Sequence, residues 1–93
     1  MKVRITDTAK RRILEISQYL EASAPEHKEH VISIIHKRIM SLSNFPDRGV
    51  VVRALSNSKI REVYALSYRI SYLIESDTVY VLTIEHMRQQ RHD

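Results

Sequence analysis

The chain has 93 residues and carries 15 Lys and Arg against 11 Asp and Glu, a formal net charge of +4. It contains no cysteine, which excludes disulfide bonds and thiolate metal sites within the chain. No apolar run reaches the roughly 18 residues of a transmembrane helix, and the charged N-terminal residues lack the apolar stretch of a secretory signal. We therefore expect one domain over residues 1–93 in the cytoplasm, without a membrane span or a cofactor.

The N-terminal third changes from a strand pattern to a helix pattern. Val3 and Ile5 alternate with Lys2 and Arg4, a period of two that predicts a short strand. A helical stripe follows, and Thr6 or Asp7 is placed to accept hydrogen bonds from the first free amides. The stripe consists of Ala9, Ile13, Ile16 and Leu20, with Leu14 beside it.

A second helix is predicted after a very short link. Ser23 and Glu26 have the spacing of a capping box, and Pro25 stands where proline opens a helix. The helix should run to about Leu42, and Asn44 and Pro46 should end it. Because the link is so short, the two helices should fold back as an antiparallel hairpin. The apolar stripe of this second helix is Val31, Ile35, Ile39 and Leu42.

Four apolar segments make up the rest of the chain: VVVRAL, KIREVY, SYRISYLIE and TVYVLTIEH. The turns between them, SNS, ALS and SD, are so short that only antiparallel neighbours are possible. The sequence thus predicts an α+β fold with the element order β-α-α-β-β-β-β, in which the helical hairpin packs on one face of an antiparallel sheet and leaves the other face free. The tyrosines of these strands are interpreted as sheet-packing residues.

Cations are concentrated in the predicted sheet. Residues 48–69 contain five cations and one acid, Glu62, so this segment alone has a formal charge of +4. A basic sheet surface favours a polyanionic partner, nucleic acid or an acidic protein segment, whereas the simpler interpretation is a solvated face. The five cations are Arg48, Arg53, Lys59, Arg61 and Arg69.

The motifs FPDRG, KIREVY and YRISYLIESDTVYVLTIEHMR, in this order after a helical hairpin, resemble the RelE/ParE superfamily of toxins from type II toxin–antitoxin systems. The resemblance is closest to the ParE, or plasmid-stabilisation, branch. Two details differ from the family pattern: the turn reads Arg48-Gly49 in place of Gly-Arg, and Leu66-Ser67 stands where a glycine is usual. The matching positions are Pro46 to Gly49, Ile60 to Glu62, Tyr68 to Ile70, Tyr72, His86 and Arg88.

The resemblance implies one of two targets. ParE-like toxins poison DNA gyrase, whereas RelE-like toxins cut messenger RNA on the ribosome. A nuclease needs an acid, a base and cations at the phosphate, and Arg61, Arg69 and His86 are the candidates for these catalytic roles. However, Met87 stands where nuclease members often have a tyrosine, and no glutamate or pair of close lysines lies near the predicted VVVRAL strand. The gyrase target is therefore preferred, and the nuclease remains the alternative.

The resemblance also implies a partner, a cognate antitoxin whose acidic, disordered C-terminal segment folds over the helical hairpin and the sheet edge. Steering by exposed arginines should speed its association. A homodimer and a toxin–antitoxin hetero-oligomer are both compatible with the sequence. No metal site is expected, because His27 and His30 lack a third ligand nearby. The residues expected to bind the antitoxin or the target are Arg48, Arg53, Arg61, Arg69 and Arg88.

Overall fold

A computed structural model describes residues 1–52 and 59–89 of the chain. The predicted order of a strand, two helices and four strands is confirmed. Residues 53–58, which include Arg53 and the SNS turn, lie outside the described residues. The elements are β1 (Lys2–Ile5), α1 (Asp7–Ser23), α2 (Pro25–Ser41), β2 (Val50–Val51), β3 (Ile60–Ala65), β4 (Tyr68–Glu75) and β5 (Thr78–His86).

The five strands form one sheet in the order β1-β5-β4-β3-β2. The three pairs among β2 to β5 are antiparallel, as their short turns require. The predicted antiparallel sheet is confirmed for these four strands, and β1, which no short turn joins to its neighbour, pairs parallel to β5 with Val3 opposite Val79. Two helices and three strands separate β1 from β5 along the chain, so no short turn constrains its direction.

The start of α1 is joined to the sheet through one side chain. Thr6 is the N-cap, and its hydroxyl accepts a hydrogen bond from the amide of Ala9 at 3.2 Å. The same hydroxyl donates to the carbonyl of Val81 on β5 at 2.8 Å. The predicted cap is therefore confirmed, and it also fixes the helix end relative to β5.

The predicted capping box at Ser23 is wrong. Ser23 is the last residue of α1, and its hydroxyl donates to the carbonyl of Tyr19 at 2.7 Å. Ala24 alone stands between the helices and serves as C-cap of one and N-cap of the other, so no side chain caps α2. Pro25 opens α2 as predicted, since the first helical position needs no amide hydrogen.

The apolar stripes of both helices pack into the core of the protein. Ile35 and Ile39 of α2 and Ala9 of α1 are fully buried against the sheet, whereas Ile13 and Ile16 are partly buried there. Burying an isoleucine side chain contributes about 1.5–3 kcal/mol, so these contacts account for much of the packing of the hairpin. The sheet residues on this helix-covered face include Val63, Ile70, Tyr72, Val79, Val81 and Ile84.

Tight turns join the last three strands. Leu66 and Ser67 connect β3 to β4, and Ser76 and Asp77 connect β4 to β5. The first residue of each turn has positive φ, 54° at Leu66 and 57° at Ser76. This left-handed conformation favours glycine. A glycine would therefore suit the position of Leu66, where the family pattern usually has one.

Candidate functional site

Arg48 and Arg61 lie at one end of the sheet, beside the loop that joins α2 to β2. The guanidinium of Arg61 donates to the carbonyl of Gly49 at 2.8 Å and to that of Asp47 at 3.3 Å. Arg48 is exposed and donates to the hydroxyl of Ser41 at 2.8 Å. Together with Lys37 and Arg38 it lines a shallow groove of about 310 Å³. Arg48 and Lys37 are exposed, whereas Arg38 and Arg61 are partly buried, so a basic surface lies beside this loop.

Tyr72 fixes the loop that carries these cations. Its ring is fully buried, and its hydroxyl donates to the carbonyl of Pro46 at 2.6 Å and accepts from the amide of Gly49 at 2.9 Å. A Cβ on Gly49 would lie only 2.6 Å from this hydroxyl and 2.8 Å from the carbonyl oxygen of Glu62. Only glycine therefore fits at this position without a shift of the loop or the sheet.

Arg69 does not lie on an exposed cationic surface, and the expectation that its guanidinium is accessible is wrong. Its exposure is 5%, and those of Glu62 and Glu85 are 2% and 6%. The guanidinium lies 3.6 Å from the carboxylate of Glu85 and 4.0 Å from that of Glu62. It also donates to the carbonyls of Met87, at 3.2 Å, and of Gln89. The simpler interpretation, that the side chain of Arg69 is solvated, is wrong as well. The sheet face opposite the helices was predicted to be free, but it is buried at Arg69.

The three candidate catalytic residues are not brought together. On β4, Arg69 alternates with Tyr68 and Ile70, so it points away from the face that the helices cover. His86 pairs with Tyr68 across the strands, and Arg61 pairs with the buried Tyr72, which places both on the helix-covered face. Arg61 and His86 are also separated along β4, because His86 pairs with its first residue and Arg61 with Tyr72, four residues further on. The order of Arg61, Arg69 and His86 along the sequence does not indicate that they are far apart in the fold.

The imidazole of His86 is held in one orientation. Nδ1 accepts a hydrogen bond from the amide of Arg88 at 3.1 Å, and the ring stands edge-on to Tyr68 with 5.3 Å between the ring centroids. From this hydrogen bond we assign the neutral tautomer with the hydrogen on Nε2. His86 then presents a donor, and the lone pair that a general base needs is already engaged.

A cavity of about 460 Å³ opens between α1 and the end of β5. Arg12, Glu15 and Tyr19 line it from the helix, and Tyr68, His86 and Arg88 line it from the sheet. Burial, and then the neighbouring Tyr19 hydroxyl, raise the pKa of Tyr68 above the ordinary value of 10.0, so this phenol stays neutral. We call this cavity the α1–β5 pocket. Sequence reasoning missed Arg12 and Tyr19, although their positions, with Ile16 between them, share one face of a helix.

Arg88 is exposed, as expected, and it is the only predicted binding arginine of the described residues that lines the α1–β5 pocket. Within residues 1–52 and 59–89, no group of three or more acidic or histidine side chains is placed to hold a metal ion. The same residues include no helix long and apolar enough to cross a membrane.

A family model described as the ParE toxin of the type II toxin–antitoxin system parDE matches residues 3–91. The chain belongs to the ParE toxin family. The predicted membership of this branch is thereby confirmed, and the chain is a ParE-type toxin of a type II toxin–antitoxin system.

Two solved structures share the fold of this ParE-type toxin. One is the chromosomal ParDE toxin–antitoxin system from P. aeruginosa, with a TM-score of 0.79 and 15% sequence identity, covering 92% of this chain and 95% of that one. The other is the RelBE2 toxin–antitoxin complex from Mycobacterium tuberculosis, with a TM-score of 0.69 and 24% identity, covering 91% and 95%. A comparison with curated protein sequences gives no significant match.

Proposed function

We propose that this ParE-type toxin stops bacterial growth by poisoning DNA gyrase in the cytoplasm, and that direct binding of its cognate antitoxin neutralises it. The family match over residues 3–91 carries this proposal, since the family resemblance implies gyrase as the target. The toxin would act as one folded domain over residues 1–93, without a cofactor of its own.

The geometry of the nuclease candidates supports gyrase over messenger RNA. A phosphate that is cleaved needs cations and a proton acceptor within hydrogen-bond reach of one another. Arg69 is instead buried between Glu62 and Glu85, on the other face of the sheet from His86. In the assigned tautomer, neither ring nitrogen of His86 offers a free lone pair. These observations favour inhibition by protein contact.

Charge supports an acidic antitoxin. Arg48, just before β2, and Arg88, just after β5, are both exposed, and the net charge of +4 would attract an acidic chain to them. The P. aeruginosa and M. tuberculosis relatives are described as toxin–antitoxin systems. A disordered acidic segment that folds on binding could contact both arginines at once.

The test is to measure DNA supercoiling by purified gyrase with increasing toxin, and to map messenger RNA ends in bacteria after induction of the toxin. We expect loss of supercoiling, accumulation of cleaved DNA bound to gyrase, and no codon-specific RNA cuts. The antitoxin encoded beside the toxin should restore both supercoiling and growth.

The variant His86→Ala separates the two mechanisms. If the toxin poisons gyrase by contact, a folded His86→Ala protein should still inhibit supercoiling. Codon-specific RNA cuts by the wild-type protein that disappear in a folded His86→Ala variant would instead establish the nuclease. Thermal unfolding of both proteins controls for loss of structure.

A further inference from the structure

Three cations from two parts of the fold line one shallow groove beside the end of α2. Lys37 and Arg38 come from the helix, and Arg48 comes from the loop that leads to β2. We call this the α2 groove, and we infer that it binds the phosphate backbone of duplex DNA. The inference deepens the proposed function, on which the setting of this contact rests: the duplex would be the DNA that gyrase holds.

The positive charge of the α2 groove has no counter-charge beside it. None of the described residues that line it is acidic, and the side chains of Lys37 and Arg38 make no hydrogen bond or ion pair in the described part of the chain. Asp47, the acid that precedes Arg48, lies 4.0 Å from Arg61 and is not among the described lining residues. Cations in one groove repel one another, so the groove is suited to an anionic ligand.

The helix dipole explains only part of this cluster. Cations near the C-terminus of a helix are stabilised by its partial negative charge, which accounts for Arg38 in the last turn of α2. Arg48 is outside the helix, and its guanidinium donates to the hydroxyl of Ser41 at 2.8 Å. That hydroxyl in turn donates to the carbonyl of Arg38 at 2.6 Å. Arg48 is thereby oriented along the groove, and the other donors of its guanidinium remain available to a ligand.

The loop that carries Arg48 is fixed before any ligand arrives. The hydroxyl of Tyr72 bonds to Pro46 at 2.6 Å and to Gly49 at 2.9 Å, on either side of Arg48 in the chain. A group that is already held in place loses less conformational freedom on binding. The forked donors of a guanidinium also match the oxygens of a phosphate. Arg48 therefore has the position and the chemistry of a phosphate contact.

Duplex DNA suits the α2 groove better than an acidic peptide or single-stranded RNA. Peptide segments are anchored by apolar side chains in pockets, whereas Ile34 is the one apolar residue among the described lining residues. Single-stranded RNA is held by stacking of its bases on aromatic rings, and the described lining includes no aromatic residue. A duplex presents its phosphates on the outside, and contacts of Arg and Lys to them do not read the sequence. We therefore expect binding without sequence preference.

The test measures the affinity of the full-length toxin for a short fluorescent DNA duplex by anisotropy at several salt concentrations. Contacts from three cations predict a slope of about −2.7 for log affinity against log salt, which is a fall of about 40-fold between roughly 50 and 200 mM salt. Lys37→Gln and Arg48→Gln should each reduce the slope to about −1.8 and the fall to about 12-fold.

Lys10→Gln and Arg11→Gln are the matched controls. Both replace an exposed cation of α1 that is not among the described lining residues, and they change the net charge as the groove variants do. They should keep the slope of the wild type, because the slope counts local phosphate contacts. Thermal unfolding of every variant confirms that it is folded.

Equal slopes for the groove variants and the controls would overturn the inference, because only the general charge of the toxin would then attract DNA. Two other results would overturn it as well. One is that Lys37→Gln and Arg48→Gln weaken binding of the antitoxin but not of DNA. The other is that single-stranded RNA of the same length binds more tightly than the duplex, through the same two residues.

A supercoiling assay with gyrase in the same buffers separates this inference from the proposed function. A wild-type toxin that inhibits gyrase but does not bind the duplex would contradict the inference alone. A wild-type toxin that binds the duplex through Lys37 and Arg48 but leaves gyrase active would contradict the proposed target and leave the phosphate contact in place.

Discussion

Arg69 on β4 and Glu85 on β5 form a buried ion pair, with Nη2 of the arginine 3.6 Å from Oε1 of the glutamate. The same guanidinium donates to the carbonyls of Met87 and Gln89, so it connects the sheet to the turn that follows β5. That turn carries Arg88, and His86 precedes it. Arg69 therefore acts as a positioning residue for the α1–β5 pocket, although its side chain lies on the other face of the sheet.

Arg69→Ala should destabilise the protein by about 3–5 kcal/mol, because it removes one member of a buried ion pair. Arg88→Ala is the control, since Arg88 is exposed, and it should change the free energy of unfolding by no more than about 0.5 kcal/mol. Urea unfolding monitored by circular dichroism measures both.

The burial of Arg69 also revises the expectation that it steers the antitoxin. A buried, paired arginine contributes little to the long-range field, so Arg69→Ala should alter stability more than the association rate. An association rate that falls at low salt while the unfolding free energy stays unchanged would contradict this account of Arg69.

Tyr72→Phe should destabilise the protein by about 1–3 kcal/mol, because it leaves the buried amide of Gly49 without its acceptor and the carbonyl of Pro46 without its donor. Tyr80→Phe is the matched control, as the hydroxyl of Tyr80 has no hydrogen-bond partner among the residues that the structure describes. Faster amide hydrogen exchange in residues 46–49 should accompany the loss in Tyr72→Phe alone. Similar unfolding free energies for the two variants would show that the tyrosine hydroxyl does not hold this loop.

The sequence predicted the elements well because their signals are local. The stripes through Ile13 and Ile35 have a helical period, and the turns at Leu66 and Ser76 are too short for anything but antiparallel pairing. The predicted capping box at Ser23 failed, because only one residue, Ala24, links the two helices and Ser23 is still part of α1.

The site was harder to predict because it depends on the pairing of distant residues. Alternation places Arg69 on one face but does not reveal that Glu85 lies opposite it on β5, so a buried ion pair was interpreted as an exposed cation. Likewise, Arg12 and Tyr19 form a pocket with His86 only because α1 packs against β5. These contacts follow from the tertiary fold, which a motif in the sequence does not contain.

The stability of the protein should decrease as the pH rises above about 10, the pKa of an unfolded tyrosine. Burial is the main cause that raises the pKa of both Tyr68 and Tyr72, so the folded state favours their neutral forms. A group whose pKa is raised on folding stabilises the protein below its unfolded pKa, and that contribution is lost above it as the unfolded state releases its proton first. The pH values to compare are 9 and 11, about one unit below and above the pKa of an unfolded tyrosine. Between them, the free energy of unfolding should fall less in Tyr68→Phe than in the wild type. An equal fall in the two proteins would mean that Tyr68 does not contribute.

Leu66→Gly should stabilise the protein slightly. The left-handed conformation costs a residue with a side chain about 1–2 kcal/mol, and the φ of Leu66 is 54°. Glycine avoids that cost but gives up roughly 0.5–1 kcal/mol through the greater freedom of its unfolded chain. Because the side chain of Leu66 is half-exposed, little burial is lost, and a net gain of about 0.5–1 kcal/mol is expected from these terms.

Leu66→Ala is the control for this gain, because it removes the side chain beyond Cβ but keeps the cost of the left-handed backbone. It should be neutral or mildly destabilising in the same denaturant titration. If Leu66→Gly and Leu66→Ala have equal stability, the strain at this turn is not relieved by glycine.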